Sequence, residues 1–91
     1  GAISVVDDSR KLVGIFTDGD LRRKIEKEDI LDFPISKVMT KNPIAIGKNE
    51  KAIEIAKILD KRKIVNVIVT DDYNKPLGMV IAHDLFEKGV L

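Results

Sequence analysis

Apolar residues along the chain fall into short β-branched runs and helical stripes, separated by polar stretches and by glycine or proline. Short apolar runs between turn residues are typical of strands, whereas a spacing of three and four residues is typical of a helix. The pattern predicts strands over residues 2–6, 12–17, 44–46, 64–70 and 76–81, helices over 18–27, 35–39, 50–63 and 83–88, and a linker over 28–33.

The longest predicted helix carries the clearest core-facing stripe. Four apolar residues follow the i, i+3, i+4, i+7 pattern of a buried helix face, namely Ala52, Ile55, Ala56 and Leu59. Asn49 has a side chain suited to cap the start of this helix, and Gly89 is suited to end the last one.

One stretch occurs twice in the chain. Residues 14–23 place a glycine, an aspartate and a leucine at the same spacing as residues 78–85, with an offset of 64 positions. Identical residues elsewhere share that offset, namely Val5 and Val69, Asp7 and Asp71, Asp8 and Asp72, Lys11 and Lys75, and Lys24 and Lys88. So many matches at one offset predict two copies of one structural unit.

The two copies are unequal in their predicted elements. The second reads strand, helix, strand, strand, helix, whereas the first has only strand, strand and helix. A hairpin with one helix cannot cover both faces of its sheet. We therefore expect the chain to be a fragment of a longer protein, or a second chain to cover the exposed apolar surface.

Composition narrows the classes of function. Of the 91 residues, 16 are Lys or Arg and 15 are Asp or Glu, which gives a net charge of +1 and disfavours nucleic acid as the main partner. Cysteine is absent and there is one histidine, so the usual zinc ligand sets are not available. No apolar run approaches the roughly 20 residues of a membrane helix, so we expect a cytoplasmic protein without a membrane partner.

Residues 14–23 carry the candidate chemistry, because there a strand runs into the start of a helix. Thr17 and Asp18 both have side chains that accept from free helix amides, and Asp20 lies in the first turn, where negative charge suits the helix dipole. Free amides at such a helix start also bind anions. From the residues alone, a capping role and a ligand role stay open. The basic run from Arg22 to Lys24 is more typical of a solvated face than of a phosphate site.

Paired units that contain Gly–apolar–apolar–Thr–x–x–Asp before a helix resemble a tandem of cystathionine β-synthase (CBS) domains, together called a Bateman module. Residues 13–23, 38–43 and 83–85 are similar to the C-terminal CBS pair of the arabinose 5-phosphate isomerase family. The resemblance implies an α/β (α+β) fold of two pseudo-two-fold-related β-α-β-β-α units that pack through their sheets. Residues 1–33 would form a first unit without its initial strand and helix, followed by the linker, and residues 34–91 a second unit.

The resemblance also implies a set of ligand-binding residues. Thr17 matches the family residue that contacts phosphate, and Asp20 and Asp84 match the carboxylates that accept from ribose hydroxyls. Ile81 replaces the hydroxyl residue in the second unit, so His83 would have to substitute there. The candidate ligand-binding residues are Thr17, Asp18, Asp20, His83 and Asp84, with no catalytic and no metal-binding residue.

By this resemblance the chain is a regulatory sensor rather than an enzyme. It would bind an adenine nucleotide or a cytidylyl sugar, modulate a sugar-phosphate isomerase domain of the parent protein, and form a homodimer. The alternative is a structural or dimerising module with degenerate ligand pockets, which Ile81 favours. An independent enzyme is disfavoured, because no nucleophile–base–orienter set can be assembled from these residues.

Overall fold

A computed structural model describes residues 1–27 and 32–89, so the predicted linker lies largely outside the described residues. The chain divides into two compact units between Pro43 and Ile44. The elements are the strands β1 (Ala2–Val6), β2 (Leu12–Thr17), β3 (Thr40–Lys41), β4 (Ala45–Gly47), β5 (Asn66–Thr70) and β6 (Pro76–Ile81), and the helices α1 (Asp18–Lys27), α2 (Ile35–Val38), α3 (Ala52–Arg62) and α4 (Ala82–Glu87). The boundary predicted between repeat units, 33/34, stays a prediction.

The first unit contains an antiparallel sheet in the order β1-β2-β3. Strand β3, which the sequence analysis missed, pairs through Gly14 with Lys41 and through Ile15 with Thr40. A β-carbon built on Gly14 would collide with the Met39 side chain and lie 3.1 Å from the Thr40 carbonyl oxygen. Glycine at this position therefore lets the chain pass close enough to β2 for the third strand to form.

The second unit contains a mixed sheet in the order β4-β5-β6, in which β4 runs parallel and β6 antiparallel to β5. Its core is formed by six buried side chains, Ile46, Ile55, Ala56, Leu59, Val67 and Leu85. Three members of the predicted helical stripe belong to this core, whereas Ala52 is exposed at the first residue of α3. A helix stripe packed on a strand is the arrangement that the spacing predicts.

Both hairpins turn in the same way, at positions 64 residues apart. The Asp7 carboxylate accepts from the amides of Ser9 and Lys11 at 2.8 and 3.0 Å, and Asp71 accepts from Tyr73 and Lys75 at 2.8 and 2.9 Å. Arg10 and Asn74 take positive φ angles of 67° and 62°. Each hairpin also has a register shift just before its turn, at Val5/Val6 and at Val69/Thr70. The predicted repeat is therefore present in the backbone as well as in the sequence.

The predicted caps in the second unit need correction. Asn49 does not cap α3, because the Glu50 amide donates to the Gly47 carbonyl and holds Asn49 within a turn. Lys51 takes the N-cap position, without a side-chain hydrogen bond. At the end of α4, Lys88 rather than Gly89 is the C-cap, and Gly89 follows it with a φ of 78°. Gly89 thus provides the left-handed residue just beyond the cap, where glycine costs no strain.

Candidate functional site

Thr17 and Asp20 form a reciprocal pair of hydrogen bonds where β2 runs into α1. The Asp20 amide donates to Thr17 Oγ1 at 3.0 Å, and the Thr17 amide donates to Asp20 Oδ2 at 3.1 Å. This is the geometry of a capping box, which satisfies two amides that the helix itself leaves unpaired. The structure therefore confirms Thr17 as the cap and Asp20 as a residue of the first turn.

Asp20 also joins three parts of the first unit through its carboxylate. Arg23 Nη2 donates to Oδ1 at 2.7 Å, and Thr40 Oγ1 on β3 donates to Oδ2 at 3.4 Å. The Asp20 residue is only 7% exposed, whereas the Arg23 side chain is 67% exposed. A carboxylate has about four acceptor sites, so Asp20 has little capacity left for a further donor.

The hydrogen bonds of Asp20 outweigh the cost of its burial. Burial by itself raises the pKa of a carboxyl group, because the charged form loses its hydration. Here the Thr17 amide and hydroxyl and the Arg23 guanidinium stabilise the carboxylate, and together they hold the pKa of Asp20 below its ordinary value. The folded chain therefore favours the ionised form of Asp20.

Asp18 lies next to this pair but on the surface. Its Oδ1 accepts from the Gly19 amide at 3.0 Å, and its side chain is 65% exposed. Of the two caps that the sequence left open, Thr17 is the one that the structure uses.

The corresponding corner in the second unit is built differently. Helix α4 begins after Ile81, and no side-chain hydrogen bond caps it. Asp84 is exposed, and its carboxylate has no hydrogen bond or ion pair with any residue that the structure describes. His83 is also exposed and its Nε2 lies 3.1 Å from Glu87 Oε1. The two matching aspartates therefore differ, one being engaged within the fold and the other open to solvent.

Two substitutions between the repeat copies remove groups that surround Asp20, and a third, at His83, accompanies them. Ile81 stands where the first copy has Thr17, so the capping hydroxyl is lost. Glu87 takes the position of Arg23, so the cation that pairs with the aspartate becomes an anion. His83 takes the position of Gly19, where a β-carbon would already lie 3.2 Å from Arg23 Nη1.

Sequence reasoning missed two partners of Asp20. Arg23 was assigned to a solvated face, although its i, i+3 spacing from Asp20 is one at which opposite charges meet on a helix. Thr40 carried no signal of this kind, because it reaches Asp20 through the pairing of β3 with β2, across 20 residues of sequence.

Neither a metal centre nor a membrane span is found in the part of the chain that the structure describes. No three histidine, cysteine or acidic side chains lie together there in a way that would hold a metal ion. None of the described helices has the length and apolar character needed to cross a bilayer.

The comparison with known families agrees with the fold and the repeat. A model of the CBS domain matches residues 1–27 and again residues 35–90. The chain belongs to the CBS domain family. Two matched segments confirm the resemblance noted in the sequence, and a CBS pair is a regulatory ligand-binding module without a catalytic role of its own.

Curated relatives of this CBS pair are much longer proteins. It is 44% identical to the arabinose 5-phosphate isomerase KdsD of Francisella tularensis, over 92% of this chain and 26% of that protein. It is 38% identical to KdsD of Pseudomonas aeruginosa and 35% identical to GutQ of Salmonella typhi, over the whole chain and 28% of each relative. The chain thus spans about a quarter of the length of these relatives.

Two solved structures of CBS proteins have the same fold. The CBS domain pair of protein MJ0100, in complex with 5′-methylthioadenosine and S-adenosyl-L-methionine, matches with a TM-score of 0.86 and 30% identity, over 97% of this chain and 68% of that one. The CBS domain protein PAE2072 of Pyrobaculum aerophilum, complexed with AMP, matches with a TM-score of 0.88 and 19% identity, over 99% of this chain and 70% of that one. The predicted α/β fold of a CBS pair is therefore confirmed.

Proposed function

We propose that this CBS pair binds a nucleotide or a nucleotide-sugar and thereby regulates a sugar-phosphate isomerase domain in the same protein. Relatives that share 35–44% of its residues are arabinose 5-phosphate isomerases. A structural relative with 30% identity holds two adenine nucleosides, which favours an adenine nucleoside or nucleotide as the ligand class. Cytidylyl sugars are the second class to test, because the resemblance to the isomerase family suggests feedback by a later product.

The observation that carries the proposal is the state of Asp84. Its carboxylate is exposed and is not engaged by other described residues, at the repeat position that Asp20 occupies in the first unit. Two adjacent ribose hydroxyls can both donate to one carboxylate, and a charged acceptor makes such bonds roughly twice as strong as neutral ones. We therefore assign ribose recognition to Asp84, with His83 beside it as a further ligand contact.

Thr17, Asp18 and Asp20 remain ligand candidates in the first unit, with a restriction that follows from their contacts. A ligand there has to bind without breaking the capping box, because the Thr17 amide and the Asp20 amide depend on it. Asp18 is more exposed and is free of that restriction. A phosphate group near Thr17 would also meet the exposed guanidinium of Arg23.

Isothermal titration of the 91-residue chain tests the proposal. The panel is 5′-methylthioadenosine, S-adenosyl-L-methionine, AMP, ATP, CMP and a cytidylyl sugar. We expect saturable binding of at least one compound, with a loss of about tenfold in affinity in Asp84→Asn, as for one charged hydrogen bond. Asp72→Asn is the matched control, since it removes the same charge from an exposed residue of the same unit.

Regulation is tested in a full-length isomerase that carries this chain. We expect the identified ligand to change the isomerase rate, and the Asp84→Asn version to lose that response at the ligand concentration that saturates the parent. If a ligand binds the chain but leaves the isomerase rate unchanged, the proposed ligand binding would be supported and the proposed regulation would be contradicted.

A structural or dimerising module with degenerate pockets is the second candidate function. It is favoured by the loss of the hydroxyl residue at Ile81 and by the internal engagement of Thr17 and Asp20. Sedimentation analysis distinguishes the two candidates. A stable dimer that binds none of the panel compounds would support the structural module over the sensor.

A further inference from the structure

The two matching corners of the repeat carry opposite net charge. Residues 19–24, in α1, contain one aspartate, two arginines and one lysine, which gives a net charge of +2. Residues 83–88, at the same repeat positions, contain one aspartate, one glutamate and one lysine, which gives a net charge of −1 with a neutral histidine. The surroundings of the shared aspartate therefore favour an anion in the first unit and disfavour one in the second.

Glu87 is the residue that reverses the charge beside Asp84. Successive residues of a helix are rotated by roughly 100°, so Glu87 projects from α4 between the directions of His83 and Asp84. In the first unit the residue at this position, Arg23, reaches the aspartate itself, with 2.7 Å between Nη2 and Asp20 Oδ1. A ligand held by Asp84 would thus lie next to a carboxylate, where the first unit presents a guanidinium.

The second corner is also poor in donors for a phosphate group. Ile81 has no donor at the repeat position of Thr17. His83 Nε2 lies 3.1 Å from Glu87 Oε1, so this nitrogen is already paired with an acid. Lys88 has the one remaining side-chain donor of residues 81–88, and two carboxylates precede it in that segment. The residues that could bind a phosphate in the first corner are therefore replaced in the second.

We propose that the Asp84 site selects a ribosyl ligand without a phosphate group, and that Glu87 sets this selectivity. The inference rests on the proposed binding of a nucleoside or nucleotide at Asp84, and it names the class within that group. A carboxylate accepts from ribose hydroxyls whatever the 5′ position carries. A 5′-phosphate brings about two further negative charges toward Asp84 and Glu87, whereas a neutral or cationic 5′ group does not.

Nuclear magnetic resonance titration of the isotope-labelled chain tests the inference. The ligands are adenosine and AMP, which differ only in the 5′-phosphate, and the amide signals of residues 82–87 report on this corner. We expect adenosine to saturate the shifts of these signals with a Kd at least about tenfold lower than that of AMP, because the phosphate is repelled by two carboxylates.

The combined substitution Ile81→Thr with Glu87→Arg gives the second corner the residues of the first. It should bind AMP about tenfold more tightly than the unaltered chain does, and adenosine within about threefold. Glu87→Gln removes the charge alone and should give part of this gain. Asp72→Arg is the matched control, because it changes an exposed acid by the same two charges at the other end of the six-residue strand β6. It should leave the preference for adenosine unchanged.

The outcomes separate this inference from the proposed function. Equal affinity for adenosine and AMP in the unaltered chain would overturn the selectivity and leave ligand binding at Asp84 in place. The selectivity is also overturned if Asp72→Arg gains as much affinity for AMP as the combined variant, or if Glu87→Gln gains none. If neither compound shifts the signals of residues 82–87, ribose recognition by Asp84 fails together with this inference.

Discussion

Replacement of the two matching aspartates by alanine tests the contrast between the repeat copies. Asp20→Ala removes the acceptor of the Thr17 amide, of the Thr40 hydroxyl and of the Arg23 guanidinium. Asp84→Ala removes an exposed carboxylate that has no partner among the described residues. The two substitutions are the same chemical change at the same place in the repeat, and we expect them to differ strongly in their effect on stability.

The expected cost of Asp20→Ala follows from the bonds that it breaks. Loss of a helix cap typically costs about 1 kcal/mol, and a buried hydrogen bond to a charged group about 1.5–3 kcal/mol. The ion pair between Arg23 and Asp20 contributes less than about 1 kcal/mol to the free energy of unfolding, because the guanidinium is mostly exposed to water. We expect a net loss of about 2 kcal/mol in the free energy of unfolding, against less than about 0.5 kcal/mol for Asp84→Ala.

Thermal and urea unfolding, followed by circular dichroism at neutral pH, measure this difference. For a chain of this size, 2 kcal/mol corresponds to a decrease in Tm of roughly 8–16 °C. Asp20→Asn should lose less of the free energy of unfolding than Asp20→Ala, because the amide oxygen of asparagine can still accept a hydrogen bond. Equal losses for Asp20→Ala and Asp84→Ala would refute the claim that the capping box and its partners stabilise the first unit.

The remaining predictions concern pH and backbone conformation. Since the pKa of Asp20 is lower in the folded chain than its unfolded value of about 3.9, its contribution to stability is present above that pH and is lost as the pH falls through the folded value. The free energy of unfolding should therefore fall less steeply with decreasing pH in Asp20→Asn than in the unaltered chain. Gly14→Ala should destabilise the fold by about 1–2 kcal/mol, because the new methyl group meets Met39 and Thr40, whereas Gly78→Ala, with no atom within 4 Å of its β-carbon, should be neutral or stabilising in urea titrations. Lys63 ends α3 with a φ of 55°, in the left-handed region where only glycine is free of strain. Lys63→Gly should therefore increase the free energy of unfolding by about 0.5–1 kcal/mol, whereas Lys63→Ala should not increase it.

Most of the fold could be predicted because local pattern and packing agree. The bounds of β1, β2 and β6 and the start of α1 were predicted to the residue, because polar turn residues or a proline flank the apolar runs. Strand β3 could not be predicted, because two polar residues, Thr40 and Lys41, carry no strand periodicity of their own. They pair with β2 where Gly14, a residue of β2, leaves room for Met39 and Thr40.

The candidate site was less predictable than the fold, because the repeat that predicts the backbone does not predict the partners of its side chains. The Gly–x–x–x–x–x–Asp spacing is the same in both copies, and it places Asp20 and Asp84 in the first turn of their helices. Whether such an aspartate is engaged depends on its neighbours three positions before and after it and on the strand that packs beside it. The Thr17 amide, the Arg23 guanidinium and the Thr40 hydroxyl engage the Asp20 carboxylate, whereas no described residue engages that of Asp84. The same comparison therefore assigns mainly a stabilising role to one carboxylate and makes the other the better candidate for binding ribose.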